Sequence, residues 1–269
     1  MTSAIFLSVR EKATRLPKKV LLNIKGKSVT QHLIDRLKIA WKPDLIVLCT
    51  STNPNDTILA EFAPKNGILY FRGSEDDKLD RYLQAAKKFG VDFMVVVDGD
   101  DIFCDPIYID KGIETFEVTN ADYITTRDLP LGAASFGVKT KALEKVWTIK
   151  AESDTEVWGG YFTETGLFHV EYIPVEPELC HPEIRLTLDY PEDFVLIQEI
   201  FERLYVPGEM FSLKQIVKLL LDNPQLMRIN QRAHEIYVEN LSKSPSARLK
   251  PNYREILKHM ETEGEASML

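Results

Sequence analysis

Five short apolar segments, at residues 4–7, 44–50, 68–71, 92–97 and 123–126, punctuate the first half of this chain without polar alternation. A strand with one wet face alternates apolar and polar residues. A run of Val, Ile, Leu and Phe on both faces must instead be covered on both sides. Amphipathic helical patterns fill the intervals, near 30–39, 56–62, 78–89 and 107–116. This rhythm predicts a three-layer α/β/α fold around a mostly parallel sheet with right-handed crossovers.

After about residue 127 the rhythm loosens, with strands expected at 135–138, 168–172 and 184–188 and helices at 141–148 and 191–204. Pro191 followed by Glu192 and Asp193 is a good helix start, because the carboxylates face the positive end of the dipole. From Val206 onward only helical patterns remain, at 212–221, 225–241 and 253–260. The chain is therefore read as an α/β domain over 1–205 and a helical C-terminal appendage over 206–269, the latter suited to packing or homodimer formation.

A hydrophobic fraction of 44% supplies a core that needs no disulfide or structural metal. Cys49, Cys104 and Cys180 form no CxxC pair, which favours a reducing, cytoplasmic setting. Cys104 lies among acidic residues, a poor place for a thiolate. The net charge of −8 argues against nonspecific nucleic-acid binding. No signal peptide is read at the start, and no apolar run is long enough to insert in a membrane.

Charge concentrates at the predicted strand ends, where open α/β sheets bind ligands. The loop after the first strand carries Arg10, Arg15 and Lys19, with Pro17 stiffening it. Such a cationic cluster is costly unless an anion fills it, and the loop lacks the glycines of a Walker or dinucleotide motif. The segment at 95–101 delivers Asp98, Asp100 and Asp101 to a strand end, with Gly99 between two of them and Asp105 following. Asp105 is explained as a helix cap; carboxylates packed as closely as the others suit a hard cation such as Mg²⁺. Asp189 ends another strand-like segment, either as a helix cap or as a second metal ligand. A basic loop facing paired acidic strand ends is a layout for phosphoryl or nucleotidyl transfer.

Arg10, Arg15-Leu16-Pro17 and Lys19 together resemble the signature of the cytidylyltransferases that make CMP-sugars, the CMP-KDO and CMP-N-acetylneuraminate synthetases. The segments 71–82 and 181–193 resemble their spore-coat polysaccharide (SpsF-like) branch, and the likeness spans roughly residues 3–205. The resemblance implies the Rossmann-like nucleotide-diphospho-sugar transferase (GT-A-like) fold, with 1–205 as the nucleotidyltransferase domain. It implies that Arg10, Arg15 and Lys19 contact the triphosphate, that Leu7, Ser8 and Thr14 of the first loop help to bind the nucleotide, and that Asp100 and Asp189 hold Mg²⁺. It also implies that Ser74, Asp77 and Arg81 lie near the base or ribose and that Asp98 belongs to the nucleotide site. The partners are then CTP and a small acceptor, a sugar, sugar acid or phosphorylated polyol, in surface-polymer synthesis.

The chain departs from the family at Lys12-Ala13, where a small pair is usual, and at 155–162, where Trp158 and Tyr161 are equally readable as pocket or core. Two alternatives stand beside this reading. Asp98-Gly99-Asp100 spells the DxD of a GT-A glycosyltransferase, and the departures allow a degenerate nucleotide-binding relative.

Overall fold

The computed structural model of the chain describes residues 1–13, 15–241 and 247–266. Seven strands form one sheet: β1 (Ser3–Ser8), β2 (Leu45–Ser51), β3 (Leu69–Gly73), β4 (Phe93–Asp98), β5 (Tyr123–Thr126), β6 (Phe136–Lys139) and β7 (Val170–Ile173), in the order β3-β2-β1-β4-β6-β5-β7. All neighbours are parallel except that β6 runs antiparallel to β4 and β5. The central strands are apolar throughout because both faces are covered. Ile5, Leu7 and Val9 enter one core with Phe93, Val95 and Val97, while Ala4 and Phe6 enter the other with Met94 and Val96. Each such side chain contributes about 1.5–3 kcal/mol on burial.

The principal helices are α1 (Val29–Leu37), α2 (Lys78–Phe89), α3 (Pro106–Thr119), α4 (Thr140–Ile149), α5 (Pro191–Leu204), α6 (Leu213–Asp222), α7 (Gln231–Leu241) and α8 (Tyr253–Ala266). Phe211, Leu213, Ile216, Val217, Leu220 and Leu226 from the segment after residue 205 pack into the same core as Leu7 and Val97. The helix expected at 56–62 is instead three short turns, Pro54–Asp56, Thr57–Ala60 and Phe62–Lys65. The helix expected at 225–241 breaks into Pro224–Met227 and α7, with Asn230 buried at the break.

Chain order reverses at β1, so β2 and β3 lie on one side of it and β4 on the other. That makes the carboxyl ends of β1 and β4 the switch point at which such sheets bind ligands. Ser8 and Asp98 pair there in register, and the Gly99 amide donates to the Ser8 carbonyl at 2.7 Å. A Cβ on Gly99 would lie 2.8 Å from a Val9 methyl, so glycine lets the two departing loops touch.

The segment 184–188 is extended but is not a strand of the sheet; its one bridge joins Arg185 to Leu131. Its apolar residues Ile184, Leu186 and Leu188 are buried in the same core as Leu7 and Val97 although the segment adds no strand to the sheet. Leu186 donates to the Leu131 carbonyl at 2.7 Å and Leu188 to the Asp100 carbonyl at 3.0 Å, which anchors Asp189 beside the end of β4. Gly132 permits this approach: its φ is +94°, and a Cβ there would sit 2.4 Å from the Thr187 nitrogen. Gly132→Ala is expected to cost about 2–4 kcal/mol from backbone strain and overpacking. A lowered urea midpoint at constant slope checks this; an unchanged midpoint contradicts it.

Candidate active site

A cavity of about 900 Å³ opens over the carboxyl ends of β1 and β4. Ser8, Arg10, Arg15, Lys19, Asp98 and Asp100 line it, so the predicted basic loop and acidic strand end do face one another. The tail also contributes to the wall, through Tyr237 and Asn240 of α7.

At its base the Lys19 ammonium donates to Asp100 at 2.6 Å and to Asp189 at 2.8 Å. Burial alone would lower the Lys19 pKa, but Asp100 and Asp189 outweigh it and hold the amine charged above its ordinary value. The two carboxylates differ. Burial, together with Asp98 and Asp189, raises that of Asp100 despite Lys19. Asp189 is lowered, because Lys19 and Arg185 overcome the desolvation that would raise it. Carboxylates from β4 and from the 184–189 segment thus meet at one positive atom. This donor set fits a divalent cation: Mg²⁺ typically takes one or two carboxylates and completes its shell with water and phosphate. Among the described residues no group of three His, Cys, Asp or Glu side chains converges.

Asp189 is set by a buried pair behind it. Arg185 and Asp193 are almost wholly inaccessible, and Arg185 donates from Nε at 2.8 Å and from Nη2 at 2.9 Å. The same Nη2 reaches Asp189 at 3.1 Å. Asp193 also accepts from the Asp189 and Tyr190 amides, each at 2.9 Å, so it organises the turn as well as starting α5. An arginine within an apolar run was the available signal, since a buried guanidinium needs a carboxylate. Asp193→Asn, which removes the bidentate partner of that buried charge and leaves it the 3.1 Å contact to Asp189, is expected to cost about 3 kcal/mol in chemical denaturation, the low end for breaking a buried pair. A loss below 1 kcal/mol contradicts the assignment.

The other side of the cavity holds a second ionic group. Lys78 pairs with Asp98 at 3.1 Å and with Glu156 at 3.2 Å, and Glu156 also binds Arg10. Burial opposes the charge on Lys78, but Asp98, with Glu156, keeps the ammonium well above its ordinary pKa. Glu156 stays ionised because Lys78 and Arg10 overcome its desolvation. Sequence reading passed over Lys78, although a lysine in the first turn of α2 opposes the helix dipole and so signals a nearby anion. Asp98 and Asp100 therefore pair with different lysines, Lys78 and Lys19, within the same cavity.

Other expected residues fall elsewhere. Leu7 is fully buried, with its side chain in the core. Ser74, Asp77 and Arg81 do not line the cavity. Ser74 accepts from the Asp77 amide, Asp77 caps α2 by accepting from Asp80 at 3.0 Å, and buried Arg81 donates to the Ser74 carbonyl. They build the loop before α2, and Asp77 ties it to Lys150 and Thr155, a task that their motif did not reveal. Thr14 lies outside the described residues. Arg15 donates to the Tyr190 hydroxyl at 2.7 Å, and Lys12 lies 3.6 Å from Glu75. Asp105 caps α3, accepting from the Ile107 amide at 3.0 Å. Burial, then Asp101 and Asp105, push the Cys104 thiol well up, away from nucleophilic use. Trp158 and Tyr161 are both: buried in the second core, they also line the cavity.

The sequence profile of the cytidylyltransferase family matches residues 4–239. An uncharacterized protein of Methanocaldococcus jannaschii is 33% identical over 85% of this chain and 94% of its own length. The spore coat polysaccharide biosynthesis protein SpsF of Bacillus subtilis is 27% identical over 83% of this chain and 96% of its own. The structure of a cytidylyltransferase from Leptospira borgpetersenii superposes with a TM-score of 0.77 at 25% identity, covering 84% of this chain and 97% of that one.

Proposed function

Because this chain belongs to the cytidylyltransferase family, we propose that it transfers CMP from CTP to a hydroxyl or phosphate oxygen of a sugar, sugar acid or phosphorylated polyol, with release of pyrophosphate. The observation that carries this reading is the Lys19 ammonium seated between Asp100 and Asp189, with Arg10 and Arg15 lining the same cavity.

In the proposed reaction the acceptor oxygen attacks the α-phosphorus, a P–O bond forms, the bond to the pyrophosphate oxygen breaks, and a hydroxyl acceptor releases its proton to solvent. Mg²⁺ held by Asp100 and Asp189 would supply charge neutralisation on the phosphates. Lys19 stays protonated and offers a point charge, while the Arg10 and Arg15 guanidiniums are suited to bidentate contact with phosphate. Arg10 would exchange its bond to Glu156 for one to the nucleotide. Lys78 holds Asp98 and Glu156 in place at the opposite wall, and the buried aromatics Trp158 and Tyr161 close the acceptor side.

The products suit surface-polysaccharide synthesis in the cytoplasm, and a homodimer is part of the same reading. Among the described residues no helix is long and apolar enough to cross a membrane. Thermal shift with each NTP and Mg²⁺ tests nucleotide choice. At 100 times its dissociation constant a ligand adds about 2.7 kcal/mol, enough to raise the melting point by several degrees. CTP should give the largest shift; a larger one with UTP or ATP overturns the choice of CTP.

A further inference from the structure

The buried pair behind Asp189 has a third member, supplied by the C-terminal helical segment. Asn230, only 3% exposed, donates from Nδ2 to Asp193 Oδ1 at 2.9 Å and to the Arg185 carbonyl at 3.1 Å. It sits at the break before α7. Asn230, Ala233, His234 and Tyr237 recur at spacings of three and four, the spacing of one helical face. The same face brings Tyr237 to 5.7 Å from the Arg185 guanidinium and into the cavity wall. A continuous polar chain therefore runs from Asn230 through Asp193, Arg185, Asp189 and Lys19 to Asp100.

We propose that Asn230 is a positioning residue for Asp189, so that the helical segment after residue 205 is an integral part of the nucleotide-transfer site. The hydrogen bonds that align the Arg185 guanidinium come from Nε and Nη2, since among the described residues buried Nη1 has no hydrogen-bond partner. Its orientation depends on how Asp193 is held. Asp193 Oδ2 already accepts from the Asp189 and Tyr190 amides, whereas Oδ1 is fixed only by Arg185 Nε and Asn230. Without the Asn230 amide the carboxylate can turn about its Oδ2 side, carrying with it the Nη2 that orients Asp189. Asn230 touches none of the cations of the first loop, so its effect passes through Asp189. Partners bonded directly to a metal ligand typically change metal affinity or activity by about 10–100-fold when lost. Asn230 acts on Asp189 through Asp193 and Arg185, so the low end of that range is expected.

This inference rests on reading Asp189 as a metal carboxylate, and the test separates the two. Mn²⁺ binding to the full chain, with a non-hydrolysable CTP analogue present, is followed by loss of the free-ion electron paramagnetic resonance signal. Asn230→Leu keeps the branched shape and heavy-atom count and removes the donor; it is expected to weaken Mn²⁺ binding about tenfold. Asn223→Ala serves as the control, since it breaks a 2.9 Å bond to the Leu219 carbonyl in the same segment and should leave the affinity at the wild-type value. If Asn230→Leu does not melt cooperatively, Asn230→Ala carries the same measurement. Wild-type Mn²⁺ affinity in a folded Asn230 variant, or equal weakening in Asn223→Ala, overturns the positioning role. A wild-type chain that holds no Mn²⁺ overturns the metal reading itself, and the inference with it.

Discussion

Asp100→Asn is expected to reduce pyrophosphate release from CTP by about 10³-fold or more while moving the melting temperature by only a few degrees. The loss follows from the position of the side chain, which meets Asp189 at the Lys19 ammonium. Removing one ligand from a site meant to neutralise phosphate charge forfeits several kcal/mol of transition-state stabilisation, at about 1.4 kcal/mol per tenfold. The small effect on folding has its own cause. Asp100 is costly in the native protein, where burial and the nearby Asp98 and Asp189 raise its pKa, so a neutral amide relieves repulsion as it gives up the Lys19 pair. Retention of activity within tenfold of wild type contradicts the assignment.

Lys19→Met is expected to lower kcat by about 10²–10³-fold, the usual cost of losing one preorganised donor to developing charge. It also has a signature in pH. Lys19 is the first of the charges that keep Asp189 below its ordinary pKa against burial. A carboxylate with a depressed native pKa adds stability that is present above the unfolded pKa and lost as pH falls through the native one. Without Lys19 the native pKa of Asp189 rises, that contribution shrinks, and its loss begins at higher pH. The melting temperatures of wild type and variant should therefore differ most above the ordinary carboxylate range and converge below it. A constant gap across that range contradicts the pairing.

Much of this protein was legible in its sequence, for reasons visible in particular residues. Strands such as Phe93–Asp98 were readable because both faces are buried, which leaves an unbroken apolar run. Arg10, Arg15, Lys19 and Asp100 were readable because the charges stand at strand ends, where the fold itself assembles a site. Asp189 does meet Lys19, but its segment was expected to be a strand, since Ile184, Leu186 and Leu188 are as apolar in the core beside the sheet as they would be within it. Ser74, Asp77 and Arg81 shared a conspicuous segment with Lys78, and only the lysine reaches the cavity. The contacts that escaped notice join residues far apart in the chain: Lys78 with Glu156, and Asn230 with Asp193. No local pattern announces such pairs; a buried arginine at 185 and a helix-terminal lysine at 78 were the traces they left.

The departures at Lys12-Ala13 and at 155–162 leave the charged machinery whole. Lys12 lies against Glu75 and Asp76, and Glu156 joins Lys78 to Arg10. Neither removes a cation or a carboxylate from the cavity, which weighs against a degenerate, non-catalytic relative.

The most direct test incubates the wild-type protein and Mg²⁺ with CTP labelled at the α-phosphorus and a panel of sugars, sugar acids and polyol phosphates. Label is expected on one class of acceptor, with one pyrophosphate released per transfer. Transfer of a glycosyl group from a UDP- or GDP-sugar, with no pyrophosphate released from CTP, would contradict it.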